Sequence, residues 1–96
     1  MGMKNYTKTY MDYFGYSTAD FIPCEACGAK AVDIHHLTPR SRDKAAINKI
    51  DNLCALCRDC HTKAERFHNF NEDLRLIHRK ALLKSKHDSG EIERYL

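Results

Sequence analysis

No apolar run in this 96-residue sequence approaches the roughly 20 residues that a membrane-spanning helix needs. No secretory signal pattern opens it. The start, MGMKNY, has Gly2 but places Tyr6 where a myristoylation motif wants Ser or Thr. No internal repeat recurs, and no linker is long enough to divide the chain. These absences lead us to expect one domain over residues 1–96, cytoplasmic and without a membrane partner. A chain this short buries a modest core and often needs a staple. The hydrophobic fraction of 43% excludes a disordered composition. Acids are missing from residues 74–87, which hold Arg75, Arg79, Lys80, Lys84 and Lys86 in a chain of net charge +3. That stretch reads either as a solvated helix face or as a surface for phosphates.

Cysteine is not scarce. Cys24, Cys27, Cys54, Cys57 and Cys60 are an odd number, spaced for metal rather than disulfides in a cytoplasmic chain. Cys24 and Cys27 form one C-x2-C, Cys57 and Cys60 another, with 29 residues between the pairs. Four thiolates make a closed tetrahedral zinc site with a structural role. Cys54 and Cys57 share the same spacing, so a pairing through Cys54 remains open. In a strand reading, Cys54 alternates with Leu53 and Ala55 and points into a small core, where a free cysteine acts as a small hydrophobe.

The coarse element reading gives an α+β domain. Tyr6, Tyr10 and Tyr13 at helical spacing predict a helix over about 3–14, stopped by Gly15. These tyrosines either cover the core or stack on bases. CEACG (24–28) reads as a knuckle and KAVDIHH (30–36) as a strand. LTPRSRDKAAINK is a basic connection, and IDNLCAL (50–56) a second, antiparallel strand. CRDCHTKAERFHNF (57–70) predicts one helix. Residues 72–87 predict a last basic helix with Asn71 as its N-cap and Leu74, Ile77 and Ala81 as its apolar stripe. The end, DSGEIERYL, reads as frayed.

Two histidines, His35 and His36, stand side by side at the end of the first strand, and His61 follows Cys60 directly. Successive strand residues face opposite ways, so an apolar core alone gives no reason for the pair. A metal staple would bring the strand end beside the first helical turn, where a second, open metal site can form.

The set CEACG, AVDIHHL, DNL and LCRDCH, from residue 24 to 61, resembles the HNH endonuclease family in its cysteine-containing branch. The flanking segments resemble small stand-alone phage and bacterial members. The resemblance implies a ββα-metal, treble-clef-like finger stapled by a four-cysteine zinc site (Cys24, Cys27, Cys57, Cys60), with flanking N- and C-terminal helices and a motif core spanning 24–70. It implies that His36 is the general base and that Asn52 braces the loop behind it. His35 and His61 then hold a catalytic divalent cation (Mn2+, Ni2+, Mg2+ or Zn2+), and products carry 5′-phosphate and 3′-hydroxyl ends. Some members have a further ligand one turn along the helix. Here that is Glu65, read as either a ligand or a surface acid paired with a base. Asp33 either orients His35 or forms an ion pair.

Phosphodiester hydrolysis needs an activated water and charge neutralisation, which histidine and a divalent ion supply. His68 lies roughly 10 Å along a helix from His61, too far to share an ion, and non-catalytic roles are expected for His68, His78 and His87. Arg40, Arg42, Lys44 and Arg58 are the expected DNA contacts, with Lys80 and Lys84 behind them. No base-reading motif is visible, so contacts to the DNA backbone, nicking of low sequence specificity and steep salt dependence follow. Two rival readings are a zinc-held nucleic-acid-binding module without catalysis and a redox or metal sensor using Cys54, Cys57 and Cys60. The sequence leaves the DNA substrate and the oligomeric state open.

Overall fold

A computed structural model describes residues 4–39 and 42–88, with side chains through residue 85. The order of elements is α1 (Asn5–Phe14), β1 (Asp33–His36), β2 (Leu53–Leu56), α2 (Arg58–Arg66) and α3 (His68–Asp88). Two short 3₁₀ turns, Lys44–Ala46 and Ile50–Asn52, interrupt the connection between the strands. The α+β class expected from the sequence is what forms: a two-stranded antiparallel sheet, three helices and a four-cysteine cluster.

The sheet is short but central. Register pairs His35 with Cys54 and His36 with Leu53. All four residues of β2 are buried. Cys54 and Leu56 join Cys24, Leu37, Ala64 and Leu74 in one core cluster, on the side of α2 and α3. Leu53 and Ala55 pack with Tyr10 in the other, on the side of α1. β2 is therefore a continuous apolar run because helices cover both of its faces, not one. Three tyrosines do cover this core: Tyr10 is buried, Tyr6 and Tyr16 are partly buried beside it, and the Tyr10 and Phe14 rings lie 4.6 Å apart.

Local chemistry sets the ends. Gly15, at φ 76°, closes α1 by donating to Met11 O, the left-handed cap that glycine adopts without cost to a Cβ. Gly28, at φ 83°, turns the first knuckle and donates to Cys24 O (2.9 Å). Cys57 caps α2, its sulfur accepting from the Cys60 amide at 3.4 Å.

The expected single helix over 57–70 is instead two. The backbone opens to an extended conformation at Phe67 (φ −123°, ψ 109°), and α3 begins at His68. Asn71 is accordingly inside α3 and not its cap. The break redirects the chain so that Leu74 and His78, both buried, reach the strands. Burial of that face outweighs the helical propensity of the sequence across the break. Lys63 on α2 lies over the Phe70 ring of α3 at 4.6 Å and helps hold the two helices together. The first strand is also shorter than expected, Asp33–His36, although Val32, 55% exposed, still donates its amide to Leu56 O at 3.0 Å. The frayed end at 89–96 lies outside the described residues.

Candidate functional site

The four cysteines of the two knuckles converge. The sulfurs of Cys24, Cys27, Cys57 and Cys60 all lie within 4.8 Å of one another. A tetrahedral site with zinc–sulfur bonds of about 2.3 Å separates its sulfurs by about 3.8 Å. Cys27 and Cys57 are 3.7 Å apart, so the donors fit such an ion. Burial raises the Cys24 thiol, but the backbone amides of Cys57, Cys27 and Ala26 aimed at its sulfur bring it down to about 7. Cys60 goes the other way: burial pushes it up, and the thiols of Cys57, Cys24 and Cys27 add to the push. Gathered thiols of this kind become thiolates together once a cation neutralises them. The cluster can hold a structural metal. Cys54 is not among them. Its side chain is fully buried and its thiol is held protonated, first by burial and then by Glu25.

A second concave region lies beyond the staple. A cleft of about 590 Å³ is lined by His35, His36, His61 and Glu65, with Asn71 and Arg75 on its far wall. The adjacent histidines enter it from opposite faces of β1. His35, 7% exposed, faces α2 and α3, its ring centre 5.1 Å from that of His61. His36 faces α1, edge-on to Tyr6 at 4.8 Å.

Each ring is held by a partner that fixes its protonation. His36 donates from Nε2 to the Ile47 carbonyl (3.1 Å), which assigns the ring's lone pair to Nδ1. Asp33 accepts from His61 Nδ1 (3.0 Å), which turns Nε2 toward Glu65, whose Oε1 lies 3.5 Å away. Burial lowers the His35 pKa most; the bond to Asn71 opposes this, and the charges of His61 and His36 reinforce it. The net effect favours the neutral ring, the form in which a histidine can ligate a metal.

The loop behind His36 is latched by one side chain. Asn52 is 5% exposed. Its Oδ1 accepts from Thr38 N (2.7 Å), and its Nδ2 donates to Thr38 O (3.2 Å) and Ala46 O (3.3 Å). Ala46 precedes Ile47, whose carbonyl holds His36. Asn52 thus sets the backbone that sets the imidazole.

Three comparisons bear on this arrangement. The HNH endonuclease family model matches residues 24–67. The match covers just under half of the chain. A mitochondrial DNA mismatch repair protein, a mutS homolog of Sarcophyton glaucum, is 38% identical over 56 residues, which span 53% of this chain and 6% of that protein. No solved structure matches the chain. Among the described residues no helix is long and apolar enough to cross a membrane.

The structure places the expected site residues unevenly. His35, His36, His61 and Glu65 share the cleft, and Arg42 lines its edge. Among the described residues, only the four knuckle cysteines and the group Glu25, Cys54 and His78 converge within 4.8 Å. His35, His61 and Glu65 line one cleft but do not converge within that distance. Lys44 is exposed on its 3₁₀ turn, and Arg40 lies outside the described residues. Arg58 forks onto Asp33 through Nε (2.9 Å) and Nη2 (3.2 Å). Asp33 therefore orients His61 rather than His35, and forms the ion pair as well. His68 lines the cleft, 83% exposed at its side chain, and Lys80 and Lys84 are exposed on α3.

Sequence reasoning missed two features. The first is the α3 wall. Asn71 bonds His35 Nε2 (2.6 Å), and Arg75 donates to Leu37 O (3.0 Å) and Thr38 Oγ1 (3.2 Å). The second is a buried polar network. His78, 1% exposed at its side chain, faces Glu25, 7% exposed. His78 Nδ1 lies 2.8 Å from Glu25 Oε1, and Nε2 lies 2.7 Å from Ile50 O. Both ring nitrogens meet acceptors, so both carry protons and the ring is an imidazolium. Burial opposes that charge most, but the hydrogen bond and charge of Glu25, aided by Ile50 O, outweigh it and raise the pKa. Tyr10 Oη (2.7 Å) and Ala55 N (3.2 Å) also donate to Glu25. The network joins the first knuckle, α1, β2 and α3. The only signal for it is a carboxylate inside C-E-A-C, which by sequence reads as a solvated turn residue.

Proposed function

We propose that this chain is a metal-dependent DNA endonuclease, one domain over residues 1–96, that nicks duplex DNA with low sequence specificity. The observation that carries the reading is the cleft itself. His36, with its lone pair assigned to Nδ1 by Ile47 O, shares it with His35 from β1 and His61 from α2. The matched relative has a DNA mismatch repair name, which favours DNA as the polymer.

The chemistry divides among the residues. His36 accepts a proton from water as the water oxygen forms a bond to phosphorus. The phosphorus–O3′ bond breaks, leaving 5′-phosphate and 3′-hydroxyl ends, the 3′ oxygen taking its proton from solvent. His35 and His61, with Glu65 alongside, would hold one divalent ion, which supplies charge neutralisation at the phosphate and at the leaving oxygen. Asp33 keeps His61 in the tautomer that presents Nε2. Asn52 and Ile47 keep His36 aimed. Arg42 and Lys44, with Arg40, lie past the base to meet flanking phosphates; Arg58 does so at the helix start while paired with Asp33. Imidazole donors favour manganese, nickel or zinc over magnesium. The four-cysteine cluster holds zinc and does no chemistry.

The test is cleavage of supercoiled plasmid with added Mn2+ by wild type and His36→Ala. Wild type is expected to nick, and the variant to bind DNA but cut about 10²–10⁴-fold more slowly. Equal cutting by both would remove His36 from the mechanism. Binding by both without cutting would make the chain a zinc-held nucleic-acid-binding module.

A further inference from the structure

Asn71 is an asparagine in a long helix, a position where its propensity is poor and its side chain usually turns to solvent. Here it turns inward and uses both ends of its amide. Nδ2 donates to the Leu37 carbonyl at 3.0 Å. That bond determines which way the amide faces, and it leaves Oδ1 directed at His35 Nε2, 2.6 Å away. An amide oxygen is only an acceptor. His35 must therefore carry its proton on Nε2 and its lone pair on Nδ1. Leu37 is the residue that leaves β1, so Asn71 is tied to the same strand end as the histidine it contacts.

Two part-buried contacts of this kind are not needed to dock α3, since Leu74 and His78 already bury that face. Among the described residues, Asn71 is the side chain that hydrogen-bonds the His35 ring. His61 has Asp33, and His36 has Ile47 O. We propose that Asn71 is the positioning residue for His35, the acceptor that sets the tautomer and rotation in which His35 ligates the catalytic cation. This rests on the nuclease reading above. It extends the site to a third element, because β1 and α2 lie in the matched segment 24–67 while Asn71 lies beyond it. The break at Phe67 gains a purpose: it brings α3 back over the strand end so that position 71 meets position 35.

The experiment measures Mn2+ binding to the zinc-loaded protein by the loss of the free Mn2+ spin-resonance signal, for wild type, Asn71→Ala and Asn71→Asp. Both variants lose the bond to Leu37 O. Only Asn71→Asp keeps an acceptor for His35 Nε2. Asn71→Ala is expected to weaken Mn2+ about 10–100-fold, the usual cost of losing the partner of a ligating histidine. Asn71→Asp is expected to bind as tightly as wild type or more so. Raising Mn2+ should restore nicking to Asn71→Ala but never to His36→Ala. Equal affinity of Asn71→Ala and wild type overturns the inference, and so does an equal fall in both variants, which would show a docking role through Leu37. If wild type itself neither binds Mn2+ nor nicks, the nuclease reading fails and the inference with it. If wild type does both and Asn71→Ala binds unchanged, only the inference fails.

Discussion

Replacing Asn52 by Asp exchanges one NH2 for an oxygen and leaves the shape alone, so its effect isolates hydrogen bonding. The bond from Thr38 N to Oδ1 survives. The two bonds donated by Nδ2, to Thr38 O at 3.2 Å and Ala46 O at 3.3 Å, are lost, and an oxygen is set against two carbonyl oxygens. Each lost bond is worth about 0.5–1.5 kcal/mol, and the new oxygen facing two carbonyl oxygens adds to that, although Ala46 O keeps the bond from Lys49 N (3.2 Å). The sum is a destabilisation of about 2–4 kcal/mol. In a domain of this size each kcal/mol moves the melting temperature by about 4–8 °C, so the zinc-loaded variant should melt on the order of 10 °C or more below wild type. The functional effect is larger in proportion. On the proposed mechanism, loosening Ala46 loosens the neighbouring Ile47 carbonyl that holds His36, and a His36 base would lose part of the roughly 10²–10⁴-fold that such a base contributes. Nicking should fall at temperatures where the variant is still folded, by more than the folded fraction accounts for. Calorimetry and plasmid nicking at a fixed low temperature check both halves. A variant that melts like wild type and nicks at the wild-type rate would refute the latch.

The remaining predictions concern the staple and the buried pair. Cys57→Ala should lose the bound zinc and the fold together, whereas Cys54→Ala should keep one equivalent of zinc, because Cys54 lies outside the cluster; metal analysis with circular dichroism decides. Stripping the metal with a chelator at neutral pH should unfold the chain, since in such small domains metal binding is folding free energy. His78→Ala leaves Glu25 buried without its cation and should cost about 3–5 kcal/mol in urea denaturation. The raised His78 pKa gives this stabilisation a direction: it is complete below the ordinary value of 6.5 and is lost as pH rises through the folded-state value. Wild-type stability should therefore decline on that alkaline limb, and His78→Ala should lack this component of the decline.

The two C-x2-C pairs and the His-His were legible because ligand spacing and strand alternation are local rules. Tyr10 as a core residue and Cys54 as a buried spectator followed from helical and strand periods. Asn71 was not legible. Before a run of acids and leucines it has the form of a helix cap, and only the break at Phe67 moves it into the helix and against His35. Of the two readings open for Asp33, an ion pair and a bond to His35, the structure shows the ion pair with Arg58 and adds a bond to His61. Spacing along a strand puts it on the His35 face, but the nearer partner comes from α2 across that face. Glu25 and His78 are separated by 53 residues, and nothing in the neighbourhood of either announces a buried charge.

What the sequence by itself determined is the donor chemistry: four knuckle thiols, adjacent imidazoles on opposite sides of a strand, an asparagine ahead of the second strand and a histidine on the first turn of a helix. These depend on contacts within a few residues and on the fixed periods of strand and helix. Only the tertiary structure decided which acceptor each donor meets. The rings of His35, His36 and His61 are oriented by Asn71, Ile47 O and Asp33, groups brought in from the last helix, from the loop between the strands and, for His61, from the first strand. A proton goes to whichever nitrogen faces an acceptor, and which nitrogen that is depends on how the elements pack.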